Sequence, residues 1–491
     1  MSTMPEILAN LDANAPLTLP EIIRIESSAW LASEERKLML TGKRYYRVKN
    51  DVLDRRRRTI GDDGRLVEAH NLADNRIPHG FVRKLVDQKT GYLLSRPFVA
   101  KTEDKTYQAL LDEYFSKAFR RMLKNIGKDA INCGKAWLQV YYNEAGDLSF
   151  MRLPPEECLP IWQDSAHTEL AAFIRIYDVE TYVAKTKRVV RRIQWWDDAG
   201  MKLYEDDGQL KLIEEDSHFS YIDGEAVKPM NWERLPFICW KYNDEEQPLI
   251  DLIKQQVDDY DRRKSDNSNN LEDLPNSIYV VKNYNGTSGG EFRSNISRYR
   301  VAFVDGEGGV ETISLTIDTE AYTNHMEELR KNIYEFGRGV DTQRQEVGNA
   351  SGIALKFLYA DLDMDMSDME AEFQAALEQL LWFVDTHIAN TGGTDYADTD
   401  VEFIFNRDIL INETEAVTNA KNSVGVISAR TIVANHPWVS DTDEELKQMD
   451  EEKAEAQEYG GLPAEGGGGD AQRGDGAAGG QAGSGGREQS D

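Results

Sequence analysis

Two apolar periods alternate along the chain, and the points where they switch mark its organisation. Steps of three and four predict helices; strict alternation predicts strands. A short helix is expected from Pro20 through EIIRIESSAWLASEERKLML, opened by Pro20 and ended by Gly42. A second is expected in PHGFVRKLVDQKTGYLLSRP, between Pro78 and Pro97. A third runs from about Thr106 to Gly134 on Tyr107, Leu110, Leu111, Tyr114, Phe115, Phe119, Met122, Leu123 and Ile126. From Ala136 the period falls to two. WLQVYY, a turn at 143–147 and LSFMRL predict a hairpin, and AAFIRIYDV, VVRRIQWW, MKLYED and PFICWKY predict more strands. Residues 136–242 therefore read as an antiparallel β-rich region, so the fold class is α+β and not alternating βαβ.

After Pro248 the helical period returns on Leu249, Ile253, Val257 and Tyr260. The distal half of this helix, Arg262 to Asn270, has no apolar residue. Such a segment is expected to lie against identical neighbours or to line water, not to enter one subunit's core. Short strands with glycine turns fill 276–316. A returning helix begins near Asp318, carries Tyr322, Met326, Leu329, Ile333 and Phe336, and breaks at Gly337-Arg338-Gly339. A polar loop, VDTQRQEVGNASG, leads to the longest periodic segment. Ile353, Phe357, Leu358, Leu362, Met366, Met369, Phe373, Leu377, Leu380, Val384 and Ile388 predict one helix of roughly 35 residues, about 50 Å long. Asp361, Asp363, Asp365, Asp368, Glu370 and Glu372 are assigned to its other faces. It stops at Asn390-Thr391-Gly392-Gly393. VEFIF reads as a strand, Asn412 with Glu415 as a capping box, Ser428 as an N-cap, and Asn435-His436-Pro437 as a break. An acidic helix starts at Asp441. From Gly460 the composition predicts disorder, and Arg473-Gly474-Asp475 within it reads as a chance triplet.

Composition narrows the function. With 491 residues, 40% of them hydrophobic, the chain can bury a core across several structural units. No apolar run spans a bilayer, and the N-terminus lacks the basic-then-apolar pattern of a secretory signal, so synthesis in a cytoplasm is expected. Cys133, Cys158 and Cys239 are widely spaced and read as reduced, buried thiols. The net charge of -30 repels phosphate. Either nucleic acid is not a ligand, or the protein touches it without gripping it. The run Arg55 to Arg58 reads as a solvated loop or a set of salt-bridge partners, ahead of a nucleic-acid contact.

The search for catalytic motifs is nearly empty. There is no GxxxxGK[ST]; Gly134-Lys135-Ala136 lacks its upstream Gly and its Ser/Thr. HExxH, GxSxG and the Rossmann glycines are absent, and the seven histidines show no metal spacing. No cofactor, metal or catalytic residue is therefore expected. The densest carboxylate cluster is Asp361-Leu-Asp363-Met-Asp365. It lies within a helical pattern that turns alternate residues apart, so an acidic surface is favoured. The alternative is a metal-dependent enzyme acting on nucleic acid through Asp361, Asp363 and Asp365.

Three stretches in order carry a resemblance. NLADNRIPHGFVRKLVDQKTGYLLSRPF, EVGNASGIALKFLYADLDMD and ISARTIVANHPWVSDTDEELKQMDEE resemble corresponding segments of tailed-bacteriophage portal proteins, in the group of the Bacillus phage SPP1 portal. The resemblance covers roughly residues 25–455, and none of its pieces is a catalytic signature. It implies an N-terminal arm (1–24), an α/β wing (25–243), stem helices at 244–271 and 318–338, and a β-rich clip (272–317). It further implies a tunnel loop (339–352), a long wing-crossing helix (353–393), an α-helical crown (394–458) and a glycine-rich tail (459–491) without a counterpart. It implies a non-enzymatic ring of about twelve copies, closed by heterologous contacts. Double-stranded DNA would pass through it into and out of the capsid. The implied partners are the terminase large subunit, a head-completion or adaptor protein, scaffold and major capsid protein, with no membrane; the implied location is the capsid vertex of a virion made in a bacterial cytoplasm. An acidic channel would hold DNA loosely, since each Lys or Arg on phosphate adds counterion-release affinity. Arg344, Gln345 and Asn349 are the candidates for facing DNA, with an ordinary solvated loop as the competing reading. Lys282, Arg293, Arg298 and Arg300 are the clip's candidates for partner or DNA contact, with solvent-facing strand positions competing.

Overall fold

Helix α1 (Leu19–Ala32) opens where the Glu21 carboxylate accepts the Thr18 backbone N–H at 2.8 Å, with Pro20 in the first turn. Ser33 then breaks the helical run that the sequence pattern joins. Its hydroxyl accepts from the Arg36 N–H at 3.2 Å and caps a second helix, α2 (Glu34–Tyr46). Nor does Gly42 end the helix. It sits in the middle of α2 because the backbone of Asn132 passes there: a Cβ would lie 2.0 Å from the Asn132 carbonyl oxygen. The computed structural model describes residues 17–60, 65–69, 72–183, 186–223, 226–272, 277–282, 307–314, 319–343, 352–407, 413–436, 438–439 and 442–459.

A small hairpin, β1 (Arg58–Ile60) with β2 (Leu66–Glu68), precedes α3 (Phe81–Leu94) and the short β3 (Val99–Lys101). The helix expected over 106–134 is two helices, α4 (Lys105–Tyr114) and α5 (Lys117–Cys133). Asp104 caps α4 by accepting from Thr106 and Tyr107 N–H at 2.8 and 3.0 Å. The turn at Phe115 lets Tyr107 and Leu111 of α4 and Phe119 and Leu123 of α5 enter one core. Gly134 ends α5 with φ of 85°, a conformation that favours glycine.

The β-rich region is antiparallel throughout. β4 (Lys135–Tyr142) and β5 (Leu148–Leu153) form the expected hairpin. A five-stranded meander follows: β6 (Cys158–Trp162), β7 (Leu170–Val183), β8 (Thr186–Asp197), β9 (Gly200–Asp206) and β10 (Leu210–Asp216), in the order β10-β9-β8-β7-β6. A hairpin of β11 (Phe219–Asp223) and β12 (Ala226–Met230) leads to β13 (Phe237–Lys241), which returns to pair with β4. The sequence pattern does not reveal β6 or β10. Every residue of β6 is buried and nearly every residue of β10 is exposed, so neither alternates. An aromatic core of Trp137, Trp162, Phe173, Trp196 and Phe237 includes residues from both sheets; Phe173 stacks on Phe237 at 3.9 Å. All three cysteines are free thiols, and burial pushes each pKa up.

The chain continues into α6 (Leu249–Glu272), β14 (Ser277–Lys282), β15 (Gly309–Ser314), α7 (Thr319–Phe336) and α8 (Gly352–Asn390). α8 has 39 residues and is about 58 Å long. Its stripe from Leu362 to Ile388 is the spine of the largest core, shared with residues of α3, α4, α5, α6 and α7. β16 (Glu402–Ile404) pairs with β3. These elements make one unit, 1–410. The second unit, 411–491, contains α9 (Glu413–Asn422), α10 (Ala429–Ala434) and α11 (Thr442–Tyr459). Ser428 caps α10 as expected, accepting from Thr431 N–H at 3.2 Å. Asn412 of the expected capping box lies outside the described residues. The fold is mixed helix and sheet, as its patterning implies. Among the described residues no helix is long and apolar enough to cross a membrane.

Gly42→Ala tests the close approach of α2 and α5. Helix propensity alone favours alanine by about 1 kcal/mol. The clash with Asn132 should reverse that sign and cost about 1–3 kcal/mol, read as a lower thermal midpoint.

Candidate functional site: the helix pair and the root of its return loop

Helices α6 and α7 run antiparallel. Gly337 lies beside Ile253, His325 meets Asp259 at 3.2 Å, and Lys264 sits over the Tyr322 ring at 5.9 Å. Between them, β14 pairs with β15 from Ser277↔Ser314 to Lys282↔Gly309. Lys282 is exposed and its ammonium is 2.5 Å from Glu311, so its charge is already engaged within the hairpin. Arg293, Arg298 and Arg300 lie outside the described residues.

The polar half of α6 corrects the sequence expectation. Asp261, Ser265 and Asn269 are 0, 1 and 5% exposed, so this stripe is buried within its own chain. These side chains accept from the backbone N–H groups of His79, Ile77 and Asn75 at 3.0, 3.0 and 2.6 Å. The geometry explains the choice of residues. Positions four apart on a helix repeat at about 6.0 Å, and alternate N–H groups of an extended chain repeat at about 6.6 Å. A ladder of short acceptors can therefore hold a strand-like strap. Asp261 also accepts from the Asn50 side-chain amide at 2.5 Å and faces His79 Nδ1 at 2.7 Å. Burial raises its carboxyl pKa, and His79 and Asn50 oppose the rise. Outside the strap, Arg55 pairs with Asp266 at 2.7 Å and Arg57 donates to the Ala73 carbonyl at 2.7 Å. The salt-bridge reading thus holds for Arg55. The i, i+4 spacing of Asp261, Ser265 and Asn269 is the signal in the sequence for this ladder, whereas polarity alone assigns the segment to identical neighbours or water.

The other end of the pair is fixed by buried charge. Lys89 of α3 is fully buried and ion-paired with Asp365 of α8. It also donates to the Arg338 carbonyl at 3.1 Å, and Tyr242 donates to Asp365 at 2.7 Å. Burial pulls the Lys89 pKa down, and Asp365 opposes it. The next turn of chain is held from three sides. The Gln88 side chain accepts from Val340 N–H at 3.0 Å and donates to Val340 O at 3.1 Å. Arg330 forks onto Asp341 at 2.6 and 2.8 Å. A Cβ on Gly339 would lie 2.2 Å from a Leu85 methyl, so a larger residue would have to displace that side chain. Residues 338–341 just beyond α7 are therefore held in place by α3, α7 and α8. Its candidates Arg344, Gln345 and Asn349 lie outside the described residues.

The acidic cluster at the start of α8 does not converge. Asp361 is exposed, Asp363 accepts from Tyr92 at 2.9 Å and pairs with Arg407 at 2.5 Å, and Asp365 is committed to Lys89. Asp365 therefore belongs to the core, not to the acidic surface to which the pattern assigns it. Among the described residues no group of three or more His, Cys, Asp or Glu side chains is placed to hold a metal ion.

A second ionic knot seats the start of α6. Lys135 is buried 2.5 Å from Glu246 and 2.8 Å from Glu35, and His167 Nδ1 is 2.8 Å from Glu246. Burial opposes the charge on Glu246, but Lys135 and His167 outweigh it and hold the carboxyl down at about 2.

Known proteins match this chain over most of its length. The family profile for phage portal proteins of the SPP1 Gp6-like type matches residues 32–459. The portal protein of Clostridium phage phiCD119 is 29% identical over 451 residues, covering 88% of this chain and 96% of that protein. The portal protein of Bacillus phage SPP1 is 28% identical over 425 residues, covering 84% and 83%.

Two outcomes follow from the buried charges. Lys89→Met should cost about 3–5 kcal/mol by stranding Asp365, while Lys89→Met with Asp365→Leu should recover most of it in a double-mutant cycle of thermal unfolding. Glu246 has a folded pKa below its ordinary 4.5, so its stabilisation is present above about pH 4.5 and lost as pH falls toward 2. Glu246→Gln should lower the melting temperature at neutral pH and flatten its fall across that acid window.

Proposed function

This chain belongs to the SPP1 Gp6-like family of phage portal proteins, and we propose that it forms the ring at one capsid vertex through which double-stranded DNA enters and leaves. The observation that carries this reading is the antiparallel pair α6–α7, with a hairpin at one end and a pinned loop root at the other. On this reading 25–243 is the wing, 244–271 and 318–338 are the stem, and 272–317 is the clip. Residues 339–352 are the tunnel loop, 353–393 the long helix and 394–458 the crown. The 1–24 arm and the 459–491 tail lie outside this frame. The clip docks the terminase large subunit during packaging and a head-completion protein afterwards; the outer surfaces meet scaffold and major capsid protein.

The physical properties support this assignment. A net charge of -30 keeps phosphate affinity low, which lets DNA slide. The buried pairs around Lys89 hold the loop root firm, so load on the loop passes into α3 and α8. Arg344, Gln345 and Asn349 are the proposed DNA-facing residues. Arg293, Arg298 and Arg300 are the proposed clip contacts, with Lys282 available once its bond to Glu311 is exchanged. The chain acts without chemistry of its own. The acidic-cluster nuclease is not favoured, because Asp363 and Asp365 are already neutralised by Arg407 and Lys89.

Negative-stain images of the purified chain should show rings with a central hole, of roughly twelve subunits. The same preparation should leave duplex DNA uncut with Mg²⁺ or Mn²⁺. A chain that remains monomeric at micromolar concentration across a range of salt sinks the assignment. Cleavage abolished by Asp363→Ala would instead revive the nuclease.

A further inference from the structure

One helix runs against the charge of the whole chain. α5 carries Lys117, Arg120, Arg121, Lys124 and Lys128 against Asp129 alone, a net of +4 in a chain of net -30. Lys117, Arg121, Lys124 and Lys128 follow steps of four, three and four, so they form one stripe about 16 Å long. Lys128 is spoken for by Asp87 at 2.6 Å. Lys117, Arg121 and Lys124 are exposed and have no carboxylate partner among the described residues. Beside them, the Arg120 Nε is shielded from solvent and has no acceptor.

The opposite charge gathers at the far edge of the five-stranded sheet. β9 and β10 with their turn carry Glu205, Asp206, Asp207, Glu214, Glu215 and Asp216 against Lys202 and Lys211, a net of -4. Lys211 is taken by Asp207 at 2.8 Å and Lys202 by Glu215 at 3.3 Å. β10 is an edge strand, and from Lys211 onward every residue is exposed, including Leu212 and Ile213. An exposed edge of this kind is a ready surface for a partner.

Topology separates the two surfaces. α5 packs against β4 and β13 of the three-stranded sheet, and β10 is the outer strand of the five-stranded one. β10 lies four strand positions from β6, roughly 19 Å away. Among the described residues no ion pair joins the cationic stripe to the anionic edge within one copy, so both charges remain available to another. Copies placed head to tail bring them together. A head-to-tail contact is the kind that closes a ring.

We infer that the α5 stripe docks on the β9–β10 edge of a second copy of this chain, and that this charge-complementary contact sets the direction in which neighbours join. The inference rests on the ring reading above and names the surfaces that build it. Arg121→Glu with Lys124→Glu in the full chain should lower the ring fraction about tenfold or more in mass photometry near 0.15 M salt. Glu214→Lys with Asp216→Lys should do the same, and both pairs in one chain should restore rings. All four positions are exposed, so the far-ultraviolet circular dichroism spectrum should stay as in the wild type. Should the first pair unfold the chain, Lys117→Glu with Lys124→Glu carries the same test. Rings at the wild-type level in the α5 variants, or a combined chain no better than either half, overturn the inference. So do intact rings that have lost retention of a short DNA duplex, which would assign the stripe to phosphate. A wild-type chain without rings instead fails the portal reading itself.

Discussion

A lysine and an aspartate, both withdrawn from water, tie three parts of the chain to one point. Lys89 comes from α3, Asp365 from α8, and the carbonyl that shares the ammonium belongs to Arg338 just beyond α7. The desolvation cost of such a pair is recovered only when the remaining hydrogen-bonding positions are filled. Here Tyr242 fills one on the carboxylate and Arg338 one on the ammonium. The arrangement has little room to slide, because each displaced partner strands a buried charge. That stiffness suits a place where the chain turns from the helix pair into the loop and the long helix.

Polar burial also decides the other end of the pair. Asp261, Ser265 and Asn269 hold an extended strap by its backbone, where apolar packing would hold it only by shape. Hydrogen bonds of this kind fix register along the helix, since a slip of one residue removes every acceptor at once. The polar half of α6 therefore has two surfaces: one is consumed within the subunit, and the other, with Arg262 and Arg263 exposed, remains for water or a neighbour.

On the proposed assignment, charge distribution connects the subunit to its assembly. A strongly acidic chain is soluble and weak toward phosphate, yet copies of it repel one another. In the proposed contact, cations on α5 and anions on the β9–β10 edge confine attraction to selected surfaces while the rest keeps its acidic character. The same composition can thus disfavour gripping DNA and favour one orientation between neighbours.

Much of the architecture was legible in the sequence because amphipathic periods are local. The 39-residue α8, the hairpin β4–β5, the return helix ending at Gly337 and the cap at Ser428 all follow from nearby residues. Two breaks did not, at Ser33 and Phe115, because an apolar stripe can continue across a cap while the backbone turns. Strands β6 and β10 did not either, since burial on both faces or neither erases alternation. Of the site, the order of helix, insert, helix and loop was readable. Which charges are buried was not. Asp361 and Asp365 look equivalent in sequence, and only the arrival of Lys89 from 276 residues away makes one of them part of the core. Sequence determined the elements and the family, because periodicity and order are properties of the chain itself. Tertiary structure decided which polar groups leave water, because that depends on partners brought together only by folding.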